Sequence, residues 1–288
     1  MSERERLLNE FTVPGDVYRV QRRPTFDQIV INDDYKGVRV LNPWTGADLI
    51  RAGFTAEYGE SGIISEWCFR ADGNSVLVLN EKPRSACLIS LESSTSRNVL
   101  CPPLRLVTDI RYVWEGDSLW ITGGKSHDFY ELQWHGETPA FVASGGLRAR
   151  LAHPAWRRAL EGLPVDQSHV ERVEPDRSRL LYHVFVDTPG RVGMIDWRSG
   201  ATWSAQAADE VPILAFHDDR MFIMHEFEVQ RITRHGEVDA VYPAPMDFRY
   251  SGMDTLPAIG GRPAALVVMC TAQFNPRLAR CLVYRLDD

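Results

Sequence analysis

The sequence predicts an all-β fold, a six-bladed β-propeller of four-stranded antiparallel blades that forms a single domain over residues 1–288. The main observation is a short, nearly all-apolar run that occurs six times. Such runs are typical of strands covered on both faces, as the middle strands of propeller blades are. The six runs are Gln28–Asp33, Ser75–Asn80, Ser118–Gly123, Arg179–Phe185, Arg220–His225 and Ala264–Cys270.

A second regularity is the alternating run that follows, which closes on a glycine turn in four repeats, at 37–46, 128–136, 190–200 and 227–236. A polar turn also precedes each apolar run, and the ends of successive turns are 48, 44, 60, 42 and 42 residues apart. A period in this range fits one blade. The long interval predicts an insertion before blade four, with a short helix over His153–Leu163.

The two ends of the chain predict how the last blade is completed. The sixth repeat stops after its third strand, whereas Glu10–Val13 precedes the expected first strand of repeat one, Asp16–Val20. We therefore expect Phe11–Val13 to pair with the strand that contains Leu282–Leu286, which removes an open sheet edge. The predicted blades are 16–58, 59–101, 102–146, 147–207, 208–245, and 246–288 with 10–14.

Composition limits the classes of partner and the compartment. The net charge is −7 and no lysine or arginine block is present, so nucleic acid is not an expected partner. No apolar stretch has the length of a membrane helix, and the charged N-terminus does not have the features of a secretory signal. The five cysteines are odd in number and lack CxxC spacing, which predicts free thiols in a reducing compartment. We expect a cytoplasmic monomer.

Acid/base chemistry is predicted in the loops between second and third strands, which share one end of the propeller with the links between blades. Two of these loops place a histidine beside a carboxylate, as His127-Asp128 and His225-Glu226. Histidine titrates near neutral pH and a carboxylate can orient it. These four residues are the candidate catalytic groups for hydrolase or lyase-type turnover, although neighbours at a strand end point in opposite directions.

Other side chains at the same end are candidate ligand-binding residues. They are Tyr35, Arg84, Arg105, Trp156, Arg249 and Tyr250. Loops on a rigid scaffold commonly carry binding residues, but polar loops are also simply solvated. Trp156 lies on the predicted inserted helix. Two interpretations of this helix stay open: it is a lid over the loop-lined funnel at this end of the propeller, or a plug packed on blade four.

A metal site is the third candidate. Equivalent positions of the inner strands hold Glu66, Asp109, His169 and Asp254, and oxygen-rich sets of this kind bind hard cations such as calcium. The segment from Glu66 to Asn74, followed by VLVL, resembles the inner strand of gluconolactonase/regucalcin-type propellers. That resemblance implies divalent-metal ligands at Glu66 and Asp254. The alternative is that these polar groups bond to channel water and neighbouring backbone.

Two functions therefore stay open at this stage. In the first, a small molecule or peptide binds in the loop-lined funnel, with or without turnover. In the second, the propeller is a non-catalytic scaffold that binds another protein through its rim of loops. Fold alone does not choose between them. Convergent histidines and carboxylates in a deep pocket favour the first, and an exposed apolar patch favours the second.

Overall fold

The computed structural model describes residues 6–55, 63–70, 72–80, 86–99, 110–115, 118–123, 128–135, 138–144, 168–173, 179–184, 191–196, 201–206 and 213–286. In several strands between residues 64 and 196 it describes the backbone alone. Within the described part of the chain, no helix has the length and apolar character needed to span a bilayer. The predicted helix over His153–Leu163 lies outside the described residues.

Strands account for nearly all the regular structure described. The first twelve are β1 (Leu7–Pro14), β2 (Val20–Arg22), β3 (Ile29–Asn32), β4 (Gly37–Leu41), β5 (Asp48–Gly53), β6 (Ile64–Phe69), β7 (Ser75–Asn80), β8 (Ala86–Ser90), β9 (Thr95–Val99), β10 (Ile110–Glu115), β11 (Ser118–Gly123) and β12 (Asp128–His135). The next twelve are β13 (Thr138–Ser144), β14 (Ser168–Val173), β15 (Arg179–Val184), β16 (Arg191–Asp196), β17 (Thr202–Gln206), β18 (Ile213–His217), β19 (Arg220–Met224), β20 (Glu228–Ile232), β21 (Val238–Pro243), β22 (Phe248–Leu256), β23 (Ala265–Ala272) and β24 (Asn275–Arg285).

These strands form six four-stranded antiparallel sheets. Five sheets use four strands that are consecutive in the chain, and the sixth has the order β1-β24-β23-β22. Each predicted apolar run is the second strand of a sheet, as β3, β7, β11, β15, β19 or β23. The prediction of an all-β fold of antiparallel strands is therefore confirmed.

Burial explains why the second strands are so apolar. Every residue of β3 is buried, and so are all but the last of β23. Outer strands such as β21 instead alternate between buried and exposed positions. A strand packed on both faces needs apolar side chains at every position, whereas an outer strand needs them on one face only.

The chain divides into two compact units, residues 1–53 with 211–288, and residues 54–210. Unit 1 holds three sheets, and inner strand β22 contacts β18 on one side and β2 on the other. Side chains of β23 contribute to a hydrophobic core on each face of their sheet. Leu266, Val268 and Cys270 join the cluster with the β18–β21 sheet, and Ala265, Val267 and Met269 join the cluster with the β2–β5 sheet.

The N-terminal strand completes the last sheet of unit 1, as predicted. Strand β1 pairs with β24, with Phe11 opposite Cys281 and Val13 opposite Ala279. Val13, Ala279 and Cys281 are buried, so the added strand contributes to the core as well as covering an edge.

The first strand of repeat one differs from the expectation. It begins at Val20 rather than Asp16. The reason is the buried amide of Asn32, whose Oδ1 accepts from the backbone N–H groups of Tyr18 and Arg19 at 2.9 and 3.0 Å. Its Nδ2 donates to the carbonyl oxygens of Asp16 and Asp34. A side chain therefore satisfies backbone groups that a strand ladder would otherwise pair.

Unit 2 contains the sheets β6–β9, β10–β13 and β14–β17, with inner strand β10 in contact with both β6 and β14. The predicted polar turn before β7 contains the pair Asp72-Gly73. Gly73 has φ +72°, and the Asp72 side chain accepts from the backbone N–H of Asn74 at 2.8 Å. Glycine suits this left-handed position because it has no Cβ.

Free thiols are buried in both units. Cys87, Cys270 and Cys281 are unpaired among the described residues. Burial raises the pKa of each thiol, that of Cys270 to about 12. These cysteines therefore act as small apolar core residues rather than as nucleophiles.

Candidate functional site

Five connections of unit 1 lie at one end of its sheets because successive antiparallel strands reverse direction. We call them the loop end of unit 1. They comprise residues 15–19, 33–36, 225–227, 244–247 and 273–274. This is the end at which the sequence predicts binding residues.

Main-chain hydrogen bonds fix these connections to one another. Ala244 N–H donates to the Phe227 carbonyl at 2.7 Å, and Gln273 N–H donates to the Asp247 carbonyl at 2.9 Å. The Val17 carbonyl accepts from the hydroxyls of Ser251 and Thr271. The connections are therefore held by hydrogen bonds to one another and to side chains of β22 and β23.

Large apolar side chains stand exposed on this fixed framework. Phe274 is 89% exposed, Met246 is 88% exposed and Phe227 is 50% exposed. We call these three residues the apolar platform. The Phe227 carbonyl accepts one of the hydrogen bonds given above. Met246 and Phe274 are next in sequence to Asp247 and Gln273, which form another. Large apolar side chains that are exposed on a fixed framework are candidate contacts for another protein.

An aromatic pair with an acidic neighbour lies at the same end of unit 1. The Tyr35 hydroxyl donates to Asp16 Oδ2 at 2.6 Å, and the rings of Tyr18 and Tyr35 stack with centroids 6.0 Å apart. The hydrogen bond to the Asp16 carboxylate, together with burial, raises the pKa of Tyr35 to about 12. Tyr35 is therefore neutral at physiological pH and holds Asp16 in place.

Four predicted site residues are brought together near the Phe227 loop. Arg249 Nη1 lies 3.8 Å from Glu226 Oε1, and the backbone N–H of Tyr250 donates to the Glu226 carbonyl. Tyr250 is buried, and its hydroxyl donates to the Pro243 carbonyl at 2.8 Å. His225 donates through its backbone N–H to the Glu228 carbonyl. The Glu226 carboxylate thus faces the Arg249 guanidinium. The catalytic role of His225 and Glu226 stays a prediction.

Asp254 is the member of the predicted metal set whose side chain is described. It is buried in β22, where Oδ2 accepts from the backbone N–H of Arg22 at 2.7 Å and Oδ1 accepts from that of Thr255 at 2.8 Å. Each carboxylate oxygen therefore has a backbone donor, as the alternative interpretation expects. Among the described side chains, no three His, Cys, Asp or Glu residues form a metal-binding group. A calcium site stays a prediction.

The remaining predicted residues fall where the side chain is not described. His127, Arg84, Arg105, Trp156 and Asp109 lie outside the described residues. For Glu66, Asp128 and His169 the structure gives the backbone, in β6, β12 and β14 respectively. The lid and plug interpretations of Trp156 both stay open.

Sequence reasoning missed the apolar platform. The sequence-based candidates in these loops are mostly charged or titratable residues, and they do not include Phe227, Met246 and Phe274, which stand in the same loops. The signal was available, because a large apolar residue in a short polar connection has no strand face to pack against.

A comparison with solved structures identifies the architecture. The crystal structure of the Cps50 (Swd1) β-propeller domain of Myceliophteria thermophila matches with a TM-score of 0.56 and 11% identity, over 98% of this chain and 99% of that one. The chain has the β-propeller fold. No protein-family model matches the sequence, and no curated protein matches it. At this level of identity the propeller match establishes the fold alone.

Proposed function

We propose that this β-propeller is a non-catalytic interaction scaffold that binds another protein through the apolar platform of unit 1. The observation that carries the proposal is the exposure of Phe227, Met246 and Phe274 on one end of a rigid framework. In this account the six sheets are the six blades of one closed propeller, and the protein works in the cytoplasm.

Physical considerations favour binding at this surface. A large apolar side chain that is exposed in the free protein gains roughly 25 cal/mol for each Å² that a partner removes from water. Because main-chain bonds already hold the loops, little conformational entropy is lost on association. The Phe274 and Met246 side chains are therefore suited to be energetic anchors of an interface.

The pairing of Glu226 favours a role in binding over a role as general base. A general base must be free to accept a proton from substrate, whereas the Glu226 carboxylate faces the Arg249 guanidinium. Arg249 and Glu226 are both more than half exposed, so the pair is an accessible polar rim beside Phe227.

Site-specific photocrosslinking tests this function. A photoreactive phenylalanine is placed at position 274 or 246 in cells that natively express the protein, with positions 241 and 259 as controls. Val241 and Ile259 are also exposed apolar residues, but they lie on an outer strand and at the opposite end of the sheets. We expect one partner polypeptide to crosslink from 274 and 246 and not from the controls. Equal labelling from all four positions, or crosslinking from none, contradicts the proposal.

A further inference from the structure

The Tyr242 hydroxyl is an unsatisfied polar group in the core of unit 1. Tyr242 lies in β21 and is 1% exposed, and its ring centroid is 6.5 Å from that of Phe222 in β19 and 5.2 Å from that of Tyr284 in β24. The hydroxyl is buried, and no described residue forms a hydrogen bond with it. Burial raises the pKa of Tyr242, so the group keeps its proton and is a donor. A buried donor without an acceptor is unfavourable and indicates a ligand that supplies one.

An arginine without a carboxylate partner lies over the same ring. Arg6 directly precedes β1, is half-buried, and has its guanidinium carbon 5.9 Å from the centroid of the Tyr242 ring. Among the described residues, no carboxylate forms an ion pair with Arg6. Arg280 gives a contrast within the same sheet, because its guanidinium lies 4.4 Å from the Phe248 ring and pairs with Glu10 at 3.0 Å. Arg6 therefore brings an unbalanced positive charge to a hydroxyl that lacks an acceptor.

The carboxylate nearest in sequence to Tyr242 is already used by two arginines. Asp239 accepts from Arg231 Nε at 2.7 Å through Oδ1 and from Arg220 Nε at 3.1 Å through Oδ2. Arg220 also pairs with the carboxylate of the residue before it. The charges of Arg231 and Arg6 both oppose the rise in the pKa of Tyr242. Three guanidiniums are therefore matched by two carboxylates, and the surplus charge is that of Arg6.

We propose that the Tyr242 hydroxyl and the Arg6 guanidinium bind a small oxyanion, a phosphate or a carboxylate group. One oxygen of the ion accepts from the hydroxyl and another accepts from the guanidinium, as in other charge-assisted pairs. Water would give the hydroxyl an acceptor but would leave the Arg6 charge unbalanced, and a metal cation would meet like charge. Because the hydroxyl is buried, the ion enters as the Arg6 side chain rotates away from the ring and then closes on it. This inference is independent of the proposed function.

Isothermal titration calorimetry with inorganic phosphate tests the site. Tyr242→Phe removes the hydroxyl and keeps the ring, so in chloride buffer it should melt at the wild-type temperature or above it. The same change should raise the Kd for phosphate about tenfold, as loss of a hydrogen bond to a charged group does. Arg6→Gln should raise it by about tenfold or more. Arg280→Gln is the matched control and should bind phosphate like the wild type.

Acetate, titrated at the same ionic strength, separates the two kinds of oxyanion. Tighter binding of phosphate assigns the site to a phosphate group, and tighter binding of acetate assigns it to a carboxylate group. In both cases Tyr242→Phe and Arg6→Gln should weaken the ion that binds more tightly, whereas Arg280→Gln should not.

Four results would overturn the inference. The first is that the wild-type protein binds neither ion, and the second is that Tyr242→Phe leaves binding unchanged. The third is an equal loss in Arg280→Gln, which would show a general attraction of anions to surface arginines. The fourth is a lower melting temperature for Tyr242→Phe in chloride, which would show that the hydroxyl has a partner in the free protein. Photocrosslinking from positions 274 and 246 is unaffected by all four, so the two proposals fail separately.

Discussion

The Asp254 carboxylate in β22 accepts a hydrogen bond from the backbone N–H of Arg22 in β2, at 2.7 Å and across 232 positions of the chain. The next residue, Thr255, donates its hydroxyl to the Phe216 carbonyl in β18 at 2.6 Å. Successive residues of a strand point to opposite sides, so one pair of side chains links the inner strand to both neighbouring sheets. These bonds hold the three sheets of unit 1 beneath the loop end.

Replacing Asp254 with Ala should destabilise the protein by about 2–4 kcal/mol, because one buried and one partly buried N–H group lose a charged acceptor. Asp254→Asn should cost less, since one acceptor oxygen remains. Urea unfolding measures both, with Glu237→Ala at an exposed position as the control. An unchanged midpoint for Asp254→Ala would show that the bond to Arg22 contributes nothing. Repeating the urea unfolding of the wild-type protein with a chelator tests the predicted calcium site.

The N-terminal strand should be essential for stability. Val13→Asp places a charge opposite buried Ala279 and should cost about 3 kcal/mol or more. Thr12→Asp, one residue away on the exposed face of β1, should change stability little. Deleting residues 1–14 should be worse than either substitution, because β24 then loses its partner. Equal melting temperatures for the truncated and full-length chains would contradict the pairing of β1 with β24.

Tyr35 should ionise with a pKa of about 12, and Asp16→Asn should return that pKa toward its usual value of about 10. Labelling the tyrosine Cζ carbons with ¹³C allows the titration to be followed by NMR. Because the folded-state pKa is raised, the bond to Asp16 contributes stability fully below about pH 10 and loses it as pH rises toward 12. A Tyr35 titration that Asp16→Asn leaves unchanged would show that the hydrogen bond to Asp16 does not cause the raised pKa.

Gly46 and Gly261 form a matched pair for the contact between β1 and the β4–β5 turn. Both have positive φ, but a Cβ on Gly46 would meet Phe11 Cγ at 2.8 Å, whereas one on Gly261 meets nothing within 4 Å. Gly261→Ala should cost about 1 kcal/mol from backbone strain alone, and Gly46→Ala should cost clearly more. In a Phe11→Ala background the difference should shrink. If it persists, the clash with Phe11 is not its cause.

The sequence was informative where burial dictates composition. Strands such as β7 and β23 are covered on both faces, which requires an uninterrupted apolar run, and the run is visible without a structure. The pairing of β1 with β24 was predictable for a related reason, since an incomplete last repeat and an unassigned first segment each leave an edge unpaired.

Polar partners were not predictable in the same way. Asn32 and Asp254 were visible as polar residues at strand positions, but their donors are backbone groups, which every residue carries. No residue type at Tyr18 or Arg22 marks it as the partner. A loop residue has no periodicity from which its environment can be inferred, so the signal for Phe274 and Met246 was limited to their size and apolar character within short polar connections.

The affinity of the photocrosslinked partner, once purified, tests the central claim most directly. Isothermal titration calorimetry compares the wild-type protein with Met246→Ser/Phe274→Ser and with Val238→Ser/Val241→Ser. The account predicts that the platform variant raises Kd by about tenfold or more, and that the outer-strand variant binds like wild type with the same melting temperature. Wild-type affinity in the platform variant, with loss in the outer-strand variant, would contradict the assignment of this surface as the binding site.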